Sequence, residues 1–67
     1  MALRVMRSGR VHVESWAGRG TIPVLVLEAT PKHYRVRWEE SKLGKVKGSR
    51  ALVPRDAVTF DEEARDA

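Results

Sequence analysis

The chain has no cysteine among its 67 residues. Disulfides and thiolate-held metal sites are therefore excluded, and the absence fits a reducing compartment. Aromatic residues are nearly as scarce: Trp16, Tyr34, Trp38 and Phe60 are the full set. A methyl-lysine cage takes three or four converging rings. Here Tyr34 and Trp38 share the parity of Val36, which is the pattern of a core. The longest apolar run is IPVLVL, Ile22 to Leu27, far short of the roughly 18 residues of a membrane span. The opening MALRVMRSGR has basic residues without an apolar block behind them, so it does not read as a leader. A soluble, cytoplasmic protein without a membrane partner is expected.

Catalytic constellations are missing too. His12 and His33 stand far apart with no further ligand at metal spacing. Ser8, Ser15, Ser41 and Ser49 lack a glycine elbow, and no organised acid–base pair is visible. No enzyme activity, cofactor or metal is expected. A chain this short makes one domain and buries only about 60% of its extended-chain surface. Without a staple it needs a self-sufficient core or further burial in a homo-oligomer.

What the chain does have is positive charge, unevenly placed. The net charge is +4, yet residues 1–55 hold 12 basic and 4 acidic side chains, whereas residues 56–67 hold 1 basic and 5 acidic ones. Such a basic body with an acidic end suits an anion-binding surface, nucleic acid above all, or simply solubility. Arg outnumbers Lys nine to four, a usage that suits a GC-rich bacterial or phage genome.

Hydrophobic periodicity is two rather than 3.6, which points to strands. ALRVMR reads as a short strand with Leu3 and Val5 on one face, and Ser8-Gly9 as a turn. RVHVESW follows, with Val11 and Val13 inward and Arg10, His12 and Glu14 outward. Ala17-Gly18-Arg19-Gly20 reads as a flexible loop. TIPVLVLEA is the most buried strand, and Pro23 belongs at its start, an edge or a bulge because it donates no ladder hydrogen bond. Thr30-Pro31-Lys32 turns into HYRVRWEE, so residues 21–40 form an antiparallel hairpin. SKLGKVKGS is a loop or a hairpin tip with Val46 as its apolar anchor. RALVP is a strand, PRDAV one helical turn starting at Pro54, and VTF a last short strand. Residues 61–67 form an acidic tail, disordered or a short helix, after a single domain over residues 1–60. Five or so short strands with tight turns argue for a small all-β barrel or a packed meander, and closure would remove unpaired edges.

This order resembles the Src-homology-3-like barrel, in which a one-turn helix before the last strand often reads Leu-Val-Pro-x-x-x-Val. Leu52, Val53, Pro54 and Val58 match that pattern here. HYRVRWEE is similar to the Tyr-x-Val-x-Trp strand of Tudor and chromo-barrel domains, through Tyr34, Val36 and Trp38. The resemblance spans roughly residues 10–60 and implies a small five-stranded barrel with an acidic C-terminal tail. It implies fold rather than role, because this barrel hosts many functions. ESWAGRG stands where the peptide-binding members carry an acidic, aromatic-rich loop, and it offers one Trp, one acid and one Arg. Recognition of proline-rich peptides is not expected.

Two basic groups stand out. Arg35 and Arg37 lie two apart on one strand, so their side chains project the same way about 7 Å apart, near the spacing of successive phosphates. Guanidinium donors form a planar fork suited to phosphate, and Lys32 with His33 lengthens the stripe. Glu28 across the hairpin is a candidate balancing acid. Lys42, Lys45, Lys47 and Arg50 flank Gly44 and Gly48 in a loop able to follow a phosphate backbone, and Arg19 sits between Gly18 and Gly20. A solvated strand face and an ordinary soluble loop account for the same residues. Trp16 either stacks on a base, anchors a protein contact or turns into the core. The function expected is a non-enzymatic module binding DNA or RNA mainly through phosphates. The alternative is a protein-interaction module, such as a small phage or bacterial regulator docking on a larger assembly.

Overall fold

Val11 and Val13 on one strand and Ile22, Val24 and Val26 on the next recur every second residue, the period that sends alternate side chains to opposite faces. The computed structural model describes residues 3–61. Its elements are β1 (Leu3–Ser15), β2 (Gly18–Ala29), β3 (His33–Trp38), β4 (Arg50–Pro54), a 3-10 turn (Arg55–Ala57) and β5 (Val58–Phe60). All neighbouring strands are antiparallel, in the order β4-β3-β2-β1-β5. The protein is thus all-β, a five-stranded sheet with one 3-10 turn. The acidic tail expected over residues 61–67 lies, apart from Asp61, outside the described residues.

β4 and β5 occupy opposite edges of this order, yet only three residues connect them. Laid flat, five strands would put those edges about 19 Å apart, beyond the roughly 14 Å that such a link spans when fully extended. The sheet is therefore coiled. Tyr34 of β3 meets Phe60 of β5 edge to face, with ring centroids 5.4 Å apart and planes at 82°, although β2 and β1 lie between their strands in the ladder. No ladder pairs β4 with β5 among the described residues, so the curled sheet stays open at that seam.

Two bulges supply the bend. Between Arg4 and Arg7, β1 carries one residue more than β2, and between Val26 and Glu28, β2 carries one more than β3. Met6 sits at φ 53° in the first of these, and an extra residue increases local twist. The inward parity changes there as well: Ile22, Val24 and Val26 are buried before the bulge and Ala29 after it. The core is Val11, Ile22, Val24, Val26, Val36, Trp38 and Phe60, mostly β-branched side chains that favour a pleated surface.

Several expectations are corrected. Ser8-Gly9 is not a turn, because β1 runs unbroken through it for 13 residues. Gly9 is instead where β5 crosses closest: a Cβ there would lie 2.9 Å from the Thr59 carbonyl oxygen. Leu3 is exposed while Val5 packs on the core, so the two do not share a buried face. The segment 17–20 is not a loop, since β2 begins at Gly18 and only Trp16 and Ala17 turn. Nor are all five strands short: β1 and β2 hold 13 and 12 residues. Pro23 lies within β2, opposite Arg10. Its carbonyl accepts from the Glu39 N–H at 3.0 Å, so its missing donor falls just past the end of β3, where the pair with Glu39 keeps one bond and lacks the reciprocal one.

The 39–49 segment is a folded sub-hairpin rather than a free loop. Lys42 and Lys45 exchange backbone hydrogen bonds at 3.1 and 2.9 Å around Leu43 and Gly44, both at positive φ. Trp38 N–H donates to Ser49 O and Gly48 N–H donates to Trp38 O. Val46 is 62% exposed, and Leu43 is the residue packed against the core. Its methyls lie 3.6 and 3.4 Å from where Cβ atoms on Gly18 and Gly20 would stand, so these two glycines make its seat.

Two outcomes follow for chemical denaturation. Gly9→Ala forces a methyl against β5 backbone and should destabilise by about 1–3 kcal/mol, while Ser8→Ala next to it changes little. Leu43→Ala should cost about 2 kcal/mol, at the low end of such truncations, whereas Val46→Ala stays within about 0.5 kcal/mol.

Candidate nucleic-acid interface

Register determines which cations share a face. In an antiparallel pair, residues directly opposite point to the same side. Val36 opposes Ala51 and Val26 on the inner side; Arg37 opposes Arg50 and Leu25 on the outer side. Arg35 opposes Leu52 and Glu28, and Glu28 in turn opposes Arg4. Arg10 projects outward between Pro23 and Thr59. The outer face of the four strands β1 to β4 thus carries Arg4, Arg10, Arg35, Arg37 and Arg50, with Glu28 between Arg4 and Arg35. His33 and Arg37 are exposed while Val36 and Trp38 are buried, which answers to the alternation of HYRVRWEE.

The cations on this face differ in how free they are. Arg37 donates through Nη2 to Glu39 Oε1 at 3.2 Å, with both side chains well exposed. A pair this exposed contributes at most about 1 kcal/mol and uses only part of a five-donor fork. Arg50 is exposed and has no ion-pair partner among the described residues. Arg35 is half-buried, and its Nε is enclosed without a hydrogen-bond partner, which leaves it less available than Arg37 and Arg50.

The remaining basic residues divide between two ends. An antiparallel meander puts the β1–β2 turn and the β3–β4 connection at one end of the sheet and the β2–β3 turn at the other. Arg19, Lys42, Lys45 and Lys47 therefore lie with Trp16 towards the first end, whereas Arg37 and Arg50, in register with Leu25, stand about 20 Å of strand back from Arg19. The contacts agree: Ser15 Oγ reaches Leu43 O at 3.5 Å, and Lys42 Nζ donates to Thr21 O at 3.2 Å. Lys45 Nζ lies 5.6 Å from the Trp38 ring centroid, a cation–π contact that covers the core. Lys32 stands at the opposite end, in the turn where Thr30 Oγ1 accepts from His33 N–H at 3.0 Å, so it does not join the group.

Three of the four aromatic rings, those of Tyr34, Trp38 and Phe60, carry the protein's own cations. Arg7 lies 4.5 Å from the Phe60 centroid and Arg55 lies 4.9 Å from that of Tyr34. Arg55 also donates through Nε and Nη2 to Thr30 O at 2.9 and 2.6 Å, tying the 3-10 turn to the β2–β3 turn. Trp38 is 3% exposed and Trp16 is 95% exposed. Among the described residues no group of three or more His, Cys, Asp or Glu is placed to hold a metal ion. No helix there is long and apolar enough to cross a membrane.

Arg4 and Arg10 were not among the site residues expected from sequence. Arg10 was legible, since its outward parity in β1 is plain; joining it to Arg37 needed the β1–β2 register. Arg4 was not, because the bulge next to it decides its face.

No family model, curated protein or solved structure matches the chain.

Arg37 facing Arg50 is a like-charge cross-strand pair, which is destabilising in itself. Arg50→Gln should raise stability by a few tenths of a kcal/mol at about 20 mM salt. The gain should vanish near 0.5 M salt, where screening removes the repulsion; urea midpoints at the two salt concentrations measure it.

Proposed function

We propose that the chain is a non-enzymatic module, a Src-homology-3-like barrel in architecture, that binds nucleic acid through its phosphates. The observation that carries this reading is the direct opposition of Arg37 and Arg50 on the outer face of β3 and β4. Two guanidinium groups on directly opposed residues repel one another, and a phosphate beside them offsets that repulsion and takes the donors that Glu39 leaves open. Arg19, Lys42 and Lys47 extend the positive field along the adjoining end of the sheet, and Arg10 extends it across β1.

A polymer suits this arrangement better than a small anion. The cations are spread over four strands and the β3–β4 connection rather than gathered in one pocket. The concavity lined by Arg4, Met6, Leu27 and Glu28, about 440 Å³, includes an acid in its wall. Phosphate contacts of this kind position a strand without reading its sequence, so affinity should depend steeply on salt and little on base order.

Fluorescence anisotropy of a labelled oligonucleotide tests the reading. Micromolar binding at about 50 mM salt should fall by orders of magnitude at about 200 mM. The double variant Arg37→Gln/Arg50→Gln should weaken binding uniformly across sequences and lower the log–log salt slope by about two. Absence of binding at about 50 mM overturns the reading and directs the search to a protein partner.

A further inference from the structure

Trp16 is the largest side chain of the molecule left in water, 95% exposed. A lone exposed apolar residue is ordinary on a protein surface, but this one is presented on a braced support. Ser15 pairs with Gly18 across the turn. Gly18 takes φ 116°, and Ala17 N–H donates to Ser15 Oγ at 3.2 Å. The same hydroxyl lies 3.5 Å from the carbonyl oxygens of Gly18 and Leu43. The Leu43 side chain rests against Gly18 and Gly20 from the sub-hairpin below. None of these contacts needs an indole at position 16, since turns of this kind favour Gly, Asn, Asp and Ser.

The charge around the tip shows what the ring faces. Arg19 is exposed next to it, and Lys42 and Lys47 lie on the sub-hairpin that braces it. Arg37 and Arg50 stand further back on the sheet, in register with Leu25. Glu14, opposite Arg19, is the acid on the hairpin tip. An exposed apolar plate, with Arg19, Lys42 and Lys47 on the elements that carry and brace it, complements a ligand that is anionic along its backbone and flat and apolar between its charges.

We propose that Trp16 is a stacking platform for a nucleobase, and that the ligand of the basic face is therefore an unpaired strand rather than a duplex. This rests on the phosphate-binding reading above. A base within a duplex is already stacked on both sides and offers its face to the indole only after unstacking, whereas every base of a single strand has a free π-face. The cations of the sheet end hold the backbone, and Trp16 takes one base from it.

The test separates bases from phosphates. The full chain is titrated at about 50 mM salt into labelled oligothymidylate, into an abasic oligomer of the same length and into a duplex. One stacked base should make the oligothymidylate bind on the order of tenfold more tightly than the abasic oligomer. Trp16→Phe should retain most of that preference. Trp16→Ala should abolish it and leave abasic binding unchanged. Indole fluorescence should be quenched by oligothymidylate and not by the abasic oligomer, because Trp38 is only 3% exposed and out of reach. Equal binding of the two oligomers overturns the stacking role while the phosphate reading stands, and leaves Trp16 to a protein contact. A preference that survives Trp16→Ala also overturns it, because the bases are then read elsewhere. Failure of all three ligands to bind overturns both readings.

Discussion

The brevity of the link between β4 and β5 governs this molecule. Three residues join the two edges of a five-stranded sheet, and a flat sheet cannot satisfy them. Everything else is arranged to let the sheet curl. The bulges beside Met6 and Leu27 bend β1 and β2. Gly9 lets β5 lie against β1 where a side chain would collide. Arg55 fastens the link to Thr30 while lying on Tyr34, and Tyr34 meets Phe60 across the seam. The curl is what gives a short chain an enclosed interior, for a flat sheet of these strands would leave Val11, Val24 and Val36 open to water on one side.

Much of the strand pattern was legible in the sequence because parity is a local property. Val11, Val13, Val36 and Trp38 announced their face, and so did Arg10, Arg35 and Arg37. The turn after Pro54 and the strand at VTF were legible from proline's fixed φ and the short apolar run. What escaped was set by distant chain. Gly9 reads as a turn because the strand that needs it free of a side chain is β5, about 50 residues away. Gly18 and Gly20 read as a flexible loop because the leucine they seat lies on another hairpin. Leu43 itself was passed over, since a leucine at positive φ is an uncommon choice that only its packing sustains.

The candidate site was half legible for the same reason. Each basic stretch was visible alone. Their convergence depends on alternation of chain direction, which sends the first and third connections to one end and the second to the other. Lys32 is separated from Lys42 by that rule alone. The facing of Arg37 and Arg50 depends on a register that neither stretch contains. The chain thus carries at one place an arrangement that repels itself, and the fold tolerates it because the cost is spread over exposed, hydrated groups.

An open seam leaves two strand edges with unpaired backbone groups, the usual template for adding another chain. Here the template is poor on both sides. β5 offers only three residues. β4 offers five, beginning with a charged Arg50 and ending at Pro54, which has no N–H to donate. The sheet can therefore stay open without growing. On the phosphate-binding reading proposed above, copies held at high local concentration along an anionic polymer would then sit as separate units, not as a continuous ribbon of strands.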